Sequence, residues 1–251
     1  MLNINFQGIP IYAGGIKRLP YQIKKLFELN RPVRIHLCNA YTISLATLNE
    51  DYRKILLNAD LNIPDGRPLA LCLSASENLQ IRGMDLFNLI IADPEFRSMK
   101  HLFYGVGPEK LSLFEQFLSK TFSDTHQFRV VVAPYVTFEK LELENLRLAL
   151  EIFEADFIWI GLGTPKQDFA VDAISLIVKK TCAVIPVGAV FDFVIGNSIQ
   201  APKLIRKFGF EWLYRWAREP RRLASRYSIH NLIFLSQVFK HLFKKFYLRI
   251  N

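Results

Sequence analysis

Three cysteines in 251 residues are too few to staple a fold. Cys38, Cys72 and Cys182 are odd in number, far apart, and in neither CxxC nor metal-ligand spacing. That excludes a disulfide framework and points to a reducing compartment. The five histidines (His36, His101, His126, His230 and His241) form no HExxH or comparable pair, and each reads as structural or solvated. No Asp-x-Asp occurs, so a metal-bridged nucleotide-sugar site has no obvious ligands. A GxxxxGKS/T phosphate loop and a GxSxG nucleophile elbow are missing too. The opening MLNINFQGIPIY lacks the basic-then-apolar layout of a signal peptide. No apolar run reaches the ~18 residues that a spanning helix needs; the longest, Ala183 to Ile195, is short and carries Asp192. A cytoplasmic protein is expected, free or lying on a membrane surface.

Acidic residues are scarce in one region only. The net charge is +9, from 32 Lys or Arg and 23 Asp or Glu. Residues 200–251 hold 12 basic and 2 acidic side chains, a balance of +10, which leaves 20 and 21 for residues 1–199, a balance of −1. A tail so basic seeks an anionic partner: phospholipid, nucleotide diphosphate or nucleic acid.

With 51% hydrophobic residues, the chain can bury one sizeable core. VRIHLC (33–38), HLFYGV (101–106), FRVVVA (128–133), DFIWIG (156–161) and CAVIPV (182–187) read as strands apolar throughout. Helix-period stretches lie between them: Tyr21–Leu29, Ala40–Leu57, Leu69–Ser76, Met84–Ala92, Pro108–Lys120, Phe138–Phe153 and Pro165–Val178. Wholly apolar strands alternating with helices predict an α/β fold, a Rossmann-like parallel sheet covered on both faces. That core spans residues 1–199, and a basic helical C-terminal appendage spans 200–251. In the appendage, Pro202–Gly209 and Glu211–Arg218 read as short helices, and Pro220 is placed to open a third. From Ile229 to Leu248, Ile229, Leu232, Leu235, Phe239, Leu242 and Phe246 recur at helical steps, with Lys240, His241, Lys244 and Lys245 on the other side. Such a helix suits an anionic membrane surface, or packs on the core or another subunit.

Ligands of such sheets bind beyond the carboxyl ends of the strands, so the loops there are where chemistry is expected. GLGTPKQD (161–168) follows DFIWIG. Thr164 as N-cap, Pro165 at the first helical position and Gln167 at the third predict a capping box. A glycine loop opening a helix also offers N–H groups to a phosphate, with Gly163 giving the turn and Lys166 adding charge. Gly105 in GVGPEK (105–110) marks a second, weaker anion loop. Asp65 in IPDGRP (63–68) is at least a turn residue, and as a loop carboxylate it is a candidate base for an acceptor hydroxyl. Arg82, Gly83 and Asp85 form a charged cluster before an apolar helix. Arg215, Arg218, Arg222 and Arg226 recur at helical steps among aromatics, either as a solvated face or as a clamp for a diphosphate.

NAYTISLA (39–46), IPDGRPLA (63–70), RGMDL (82–86), GLGTPKQD (161–168), PVGAVFD (186–192) and GFEWLYRWAREPRRLASRY (209–227) together resemble the WecG/TagA/CpsF glycosyltransferases in order and spacing. The resemblance implies an inverting transfer from a UDP-sugar, without a metal cofactor, onto an undecaprenyl-diphosphate-linked saccharide for teichoic acid, capsule or other exopolysaccharide. The donor would be of the N-acetylmannosamine, mannosaminuronic acid, glucose or glucuronic acid type. It also implies peripheral placement on the inner face of the plasma membrane, a trimer as one possible assembly, and an appendage that closes the site. Carried over by position, Asp65 matches the base, Asn39 a pocket asparagine, Arg82 and Gln167 substrate contacts, and Arg215 and Arg222 the arginines near the diphosphate. Leu37 stands where many members have threonine, Asp168 replaces the usual glutamate of PKQE, Gln200 replaces the arginine of Arg-Ala-Pro, and Ser225 replaces a further arginine.

Two rival classes fit less of the chain. A nicotinamide-dependent oxidoreductase is suggested by GLG, but Lys166 stands where the third glycine of GxGxxG belongs. A nucleic-acid-binding protein would use the basic tail yet leave both anion loops without a role, so no nucleic-acid partner is expected.

Overall fold

The computed structural model describes residues 2–73, 79–122, 124–133, 144–197, 201–202, 204–205, 211–218 and 220–250, without the side chains of 144, 215, 222–227 and 244–250. Its strands are β1 (Asn3–Phe6), β2 (Ile9–Tyr12), β3 (Val33–Cys38), β4 (Leu61–Pro64), β5 (His101–Val106), β6 (Phe128–Val132), β7 (Phe157–Ile160) and β8 (Ala183–Pro186). Its α-helices are α1 (Leu19–Phe27), α2 (Ala40–Leu48), α3 (Glu50–Leu57), α4 (Arg67–Leu73), α5 (Gly83–Ala92), α6 (Pro94–Ser98), α7 (Leu111–Thr121), α8 (Glu144–Ile152), α9 (Lys166–Ile177), α10 (Val190–Val194), α11 (Glu211–Arg218) and α12 (Pro220–Ile250).

Strands β3 to β8 form one parallel sheet in the order β4-β3-β8-β7-β5-β6, and β1 pairs with β2 as an antiparallel hairpin. The sheet is covered on both faces, as wholly apolar strands require. Along β7, Phe157 and Trp159 enter a core with Phe103, Phe87 and Phe191, while Ile158 and Ile160 enter a second core with Leu102, Tyr104 and Val171. Each such fully buried side chain contributes ~1.5–3 kcal/mol relative to exposure.

His101 is structural. Trp159 Nε1 donates to its Nδ1 at 3.0 Å, and its Nε2 donates to the Phe96 carbonyl at 2.9 Å. Its ring stacks on Phe157, with centroids 5.0 Å apart. Burial pushes its pKa from the ordinary 6.5 down to about 4.

Several boundaries differ from the sequence reading. Ala40–Leu57 is two helices, because Asn49 leaves the helical conformation and caps α3 by accepting from the Tyr52 N–H. Residues 108–110 make a 3₁₀ turn before α7. β4 and the β1–β2 hairpin are not among the strands that the sequence predicts. Of the expected helix over 202–209 only Pro202, Leu204 and Ile205 are described, the last two helical, and the start of the one over 138–153 lies outside the described residues.

The last helix, α12, opens at Pro220 and packs on α2 and the hairpin. Phe234 is buried and stacks against Phe6, Ser44 Oγ and His230 Nδ1 share a hydrogen bond of 2.8 Å, and Gln7 Nε2 donates to the Gln237 carbonyl. The apolar series Ile229, Leu232, Leu235, Phe239 and Leu242 does not pack there; it stays exposed, as does Phe243. Among the described residues no helix is long and apolar enough to cross a membrane.

Candidate active site

The loops leaving β3, β4, β5, β7 and β8 meet at the carboxyl edge of the sheet around a cleft of about 480 Å³. Asn39, Asp65, Arg82, Gly105, Gly163 and Gln167 all line it. They are spread over more than 120 positions of sequence, and the parallel topology brings them to one edge.

Asn39 follows β3 and is the N-cap of α2. Its Oδ1 accepts from the N–H groups of Tyr41 and Thr42, and its own N–H donates to Thr42 Oγ1 at 2.7 Å, a reciprocal cap. With Oδ1 turned to the helix, the amide Nδ2 is left to donate to Asp65 Oδ2 at 3.3 Å. Asp65 follows β4 directly, and its N–H donates to the Cys38 carbonyl at 2.6 Å. The turn behind it needs Gly66, whose φ is 95°.

Arg82 precedes α5. Its Nε and Nη2 donate to the two carboxylate oxygens of Asp85 at 2.7 and 3.0 Å. That bond holds the guanidinium pKa up, and the charges of Glu211 and Asp65 add to it. Arg82 thus faces three carboxylates.

The loop after β7 corrects one expectation. The Thr164–Pro165 peptide is cis, Pro165 is the N-cap, and α9 begins at Lys166. Among the described residues Thr164 caps no backbone N–H. Instead the Gln167 side chain folds back: its Oε1 accepts from the Gly163 N–H at 3.1 Å and its Nε2 donates to Thr164 Oγ1 at 3.2 Å. The Gly163 N–H is therefore held by Gln167. Lys166 is not among the lining residues, and partial burial lowers its pKa. Gly105 matters as a close approach, since a Cβ there would stand 3.0 Å from the Gly161 backbone.

Arg215 lies in α11 and Arg222 and Arg226 lie in α12, but their side chains are outside the described residues. The appendage still reaches the cleft, because Glu211, the first residue of α11, lines it.

Sequence reasoning gave no role to four further lining residues: Lys110, Gly188, Asp192 and Glu211. Lys110 Nζ pairs with Asp192 Oδ1 at 2.8 Å, joining the loop after β5 to α10. The signal was present, since GVGPEK, PVGAVFD and EWLYR contain all four, but no spacing rule marks them as partners.

The profile of the Glycosyl transferase WecG/TagA/CpsF family matches residues 4–247. Two characterised relatives are both named N-acetylglucosaminyldiphosphoundecaprenol N-acetyl-beta-D-mannosaminyltransferase. The protein of Bacillus spizizenii strain W23 is 24% identical over 199 residues, covering 78% of this chain and 74% of its own. That of Staphylococcus aureus strain MW2 is 22% identical over 197 residues, covering 76% and 74%.

Proposed function

The chain belongs to the WecG/TagA/CpsF family and is a glycosyltransferase, and on that premise we propose that it moves a sugar from a UDP-sugar onto an undecaprenyl-diphosphate-linked saccharide. The observation that carries the proposal is the Asn39–Asp65 pair in the cleft. A carboxylate fixed by one amide in a strand-edge cleft is suited to take a proton from an acceptor hydroxyl.

In this mechanism Asp65 removes that proton as the oxygen attacks the anomeric carbon. The nucleotide leaves from the opposite face, so the configuration inverts in one displacement. Charge builds on the diphosphate as it leaves, and cationic donors that meet it lower the barrier. Arg82 belongs to the cleft already, and Arg215, Arg222 and Arg226 are assigned to the same task from the appendage. Transfer is proposed to need no metal. The support for this is the arginines assigned to the diphosphate, whose fixed positive charge does there what a cation would do.

The donor is proposed to carry N-acetylmannosamine, in line with the names of the two relatives, which also specify a β product. The appendage, residues 200–251, is proposed to close the cleft and rest on the membrane. Two features support this: Glu211 lines the cleft, and α12 keeps an apolar stripe exposed in the most basic part of the chain.

The test is the anomeric configuration of the product by NMR, after incubation of UDP-N-acetyl-α-mannosamine with an N-acetylglucosaminyl-diphospholipid. A β linkage is expected. An α linkage would overturn the single displacement, and transfer from another sugar alone would overturn the donor.

A further inference from the structure

Behind the cleft, a polar pair is buried where an apolar contact would be ordinary. His36 Nδ1 and Asp168 Oδ1 are 3.1 Å apart, with the side chains 0% and 1% exposed. A carboxylate only accepts, so Nδ1 carries the proton and donates. The pair joins β3 to α9 across 132 positions of sequence. Burying two ionisable groups is a weak source of stability, since well-packed apolar residues serve as well or better. The pair therefore calls for another reason.

Its neighbours supply one. Asp168 directly follows Gln167, the side chain that holds the Gly163 N–H and Thr164 Oγ1 at the cleft. On the other strand, His36 lies two residues before Cys38, whose carbonyl accepts the Asp65 N–H, and three before Asn39. Arg34 and His36 alternate on one face of β3 against Asp172 and Asp168, one turn apart on α9. The strand that leads into Asn39 and the helix whose first turn holds Gln167 are thus locked in register by these two polar contacts. The lock holds the two walls of the cleft relative to each other.

We infer that His36 and Asp168 are positioning residues that set Gln167 against the Asn39–Asp65 pair and so shape the donor seat. The link to the donor rests on the function proposed above; the link to the cleft geometry does not. The aspartate at position 168 matches the spacing of β3 and α9.

Two readouts on the full chain keep the parts separate. The first is amide hydrogen exchange at Gly163, Gln167 and Asp65 in Asp168→Asn and in the apolar pair His36→Phe/Asp168→Leu. Exchange at these three amides should quicken at least tenfold while the amides of β5 and α7 keep their rates, and Asp168→Glu should recover part of the loss. Unchanged exchange in a folded variant overturns the inference. If Asp168→Asn fails to fold, the apolar pair answers the question, because it leaves no buried charge unpaired. The second readout is the UDP dissociation constant, expected to rise about tenfold in both variants. UDP that fails to bind the wild-type protein contradicts the proposed function, and the exchange result still decides on the positioning.

Discussion

Asn39 holds Asp65 and caps α2 with the same amide: Nδ2 donates to the carboxylate, and Oδ1 accepts from the first turn of the helix. The two roles separate by substitution. Asn39→Ser keeps a capping oxygen and loses the amide donor. A hydrogen bond to a charged group contributes ~1.5–3 kcal/mol, so turnover should fall roughly 10- to 100-fold with little change in melting temperature. Asn39→Ala should lose the same turnover and a further ~0.5–2 kcal/mol of stability with the cap. UDP release and thermal denaturation check both. Wild-type turnover in the serine variant would detach Asn39 from the chemistry.

Two glycines of the loop after β7 should respond differently to a methyl group. At Gly161 an added Cβ would overlap the Phe191 ring, which packs among Phe103 and Phe114. Overpacking there should cost ~1–3 kcal/mol. At Gly163 no atom of the described residues lies within 4 Å of such a Cβ, but φ is 77°, so the loss is the left-handed backbone penalty of ~1–2 kcal/mol. Phe191→Leu should therefore rescue Gly161→Ala and leave Gly163→Ala unrescued, by urea denaturation of single and double variants. Equal rescue of both would contradict the packing account.

His101 makes stability depend on pH with a defined sign. Its folded pKa, about 4, lies below the ordinary 6.5. Above 6.5 neither state is protonated, and the full contribution is present. As pH falls toward 4, the unfolded chain takes up a proton that the folded one does not. Stability then declines by about 1.4 kcal/mol per pH unit, ~3 kcal/mol over the window. Protonating Nδ1 would also break the bond from Trp159. Urea titrations at pH 7 and pH 5 should show about 2 kcal/mol of this loss in the wild type and less in His101→Gln; parallel profiles would refute it.

The two faces of α12 should separate fold from membrane binding. Phe234→Ala removes a buried ring at the junction with the hairpin and should cost ~3–5 kcal/mol. Leu232, Phe239 and Phe243 are 69%, 73% and 73% exposed, so changing all three to serine should leave the melting temperature nearly unchanged. The triple variant should nonetheless lose co-sedimentation with vesicles rich in anionic phospholipid. Retained co-sedimentation would remove the stripe from the membrane account.

The sheet was legible because β7 and β8 are apolar on both faces and β3, β5 and β6 are mostly so, a pattern that amphipathic helices do not imitate. β4 was not, because four residues that end in a proline carry no period. Asp65, Asn39, Arg82 and Gln167 were legible as motif positions, and the cleft unites them. The Lys110–Asp192 pair and the His36–Asp168 lock were not, since each joins elements far apart in sequence whose adjacency follows only from the strand order. The capping box at Thr164 failed because local sequence does not reveal that the Gln167 side chain will fold back onto Gly163. The stripe on α12 was read correctly as apolar, but the face that packs on the core carries His230, Phe234 and Gln237, a mixed set that hydrophobic periodicity passes over.

The central claim is that Asp65 is the base of a sugar transfer in this cleft. The most direct measurement is acceptor-dependent UDP release from UDP-N-acetylmannosamine, in EDTA, by the wild type and Asp65→Asn. The account predicts release by the wild type only when the N-acetylglucosaminyl-diphospholipid is present, and a fall of ~100-fold or more in a variant that still folds and binds UDP. Undiminished release by Asp65→Asn would contradict it.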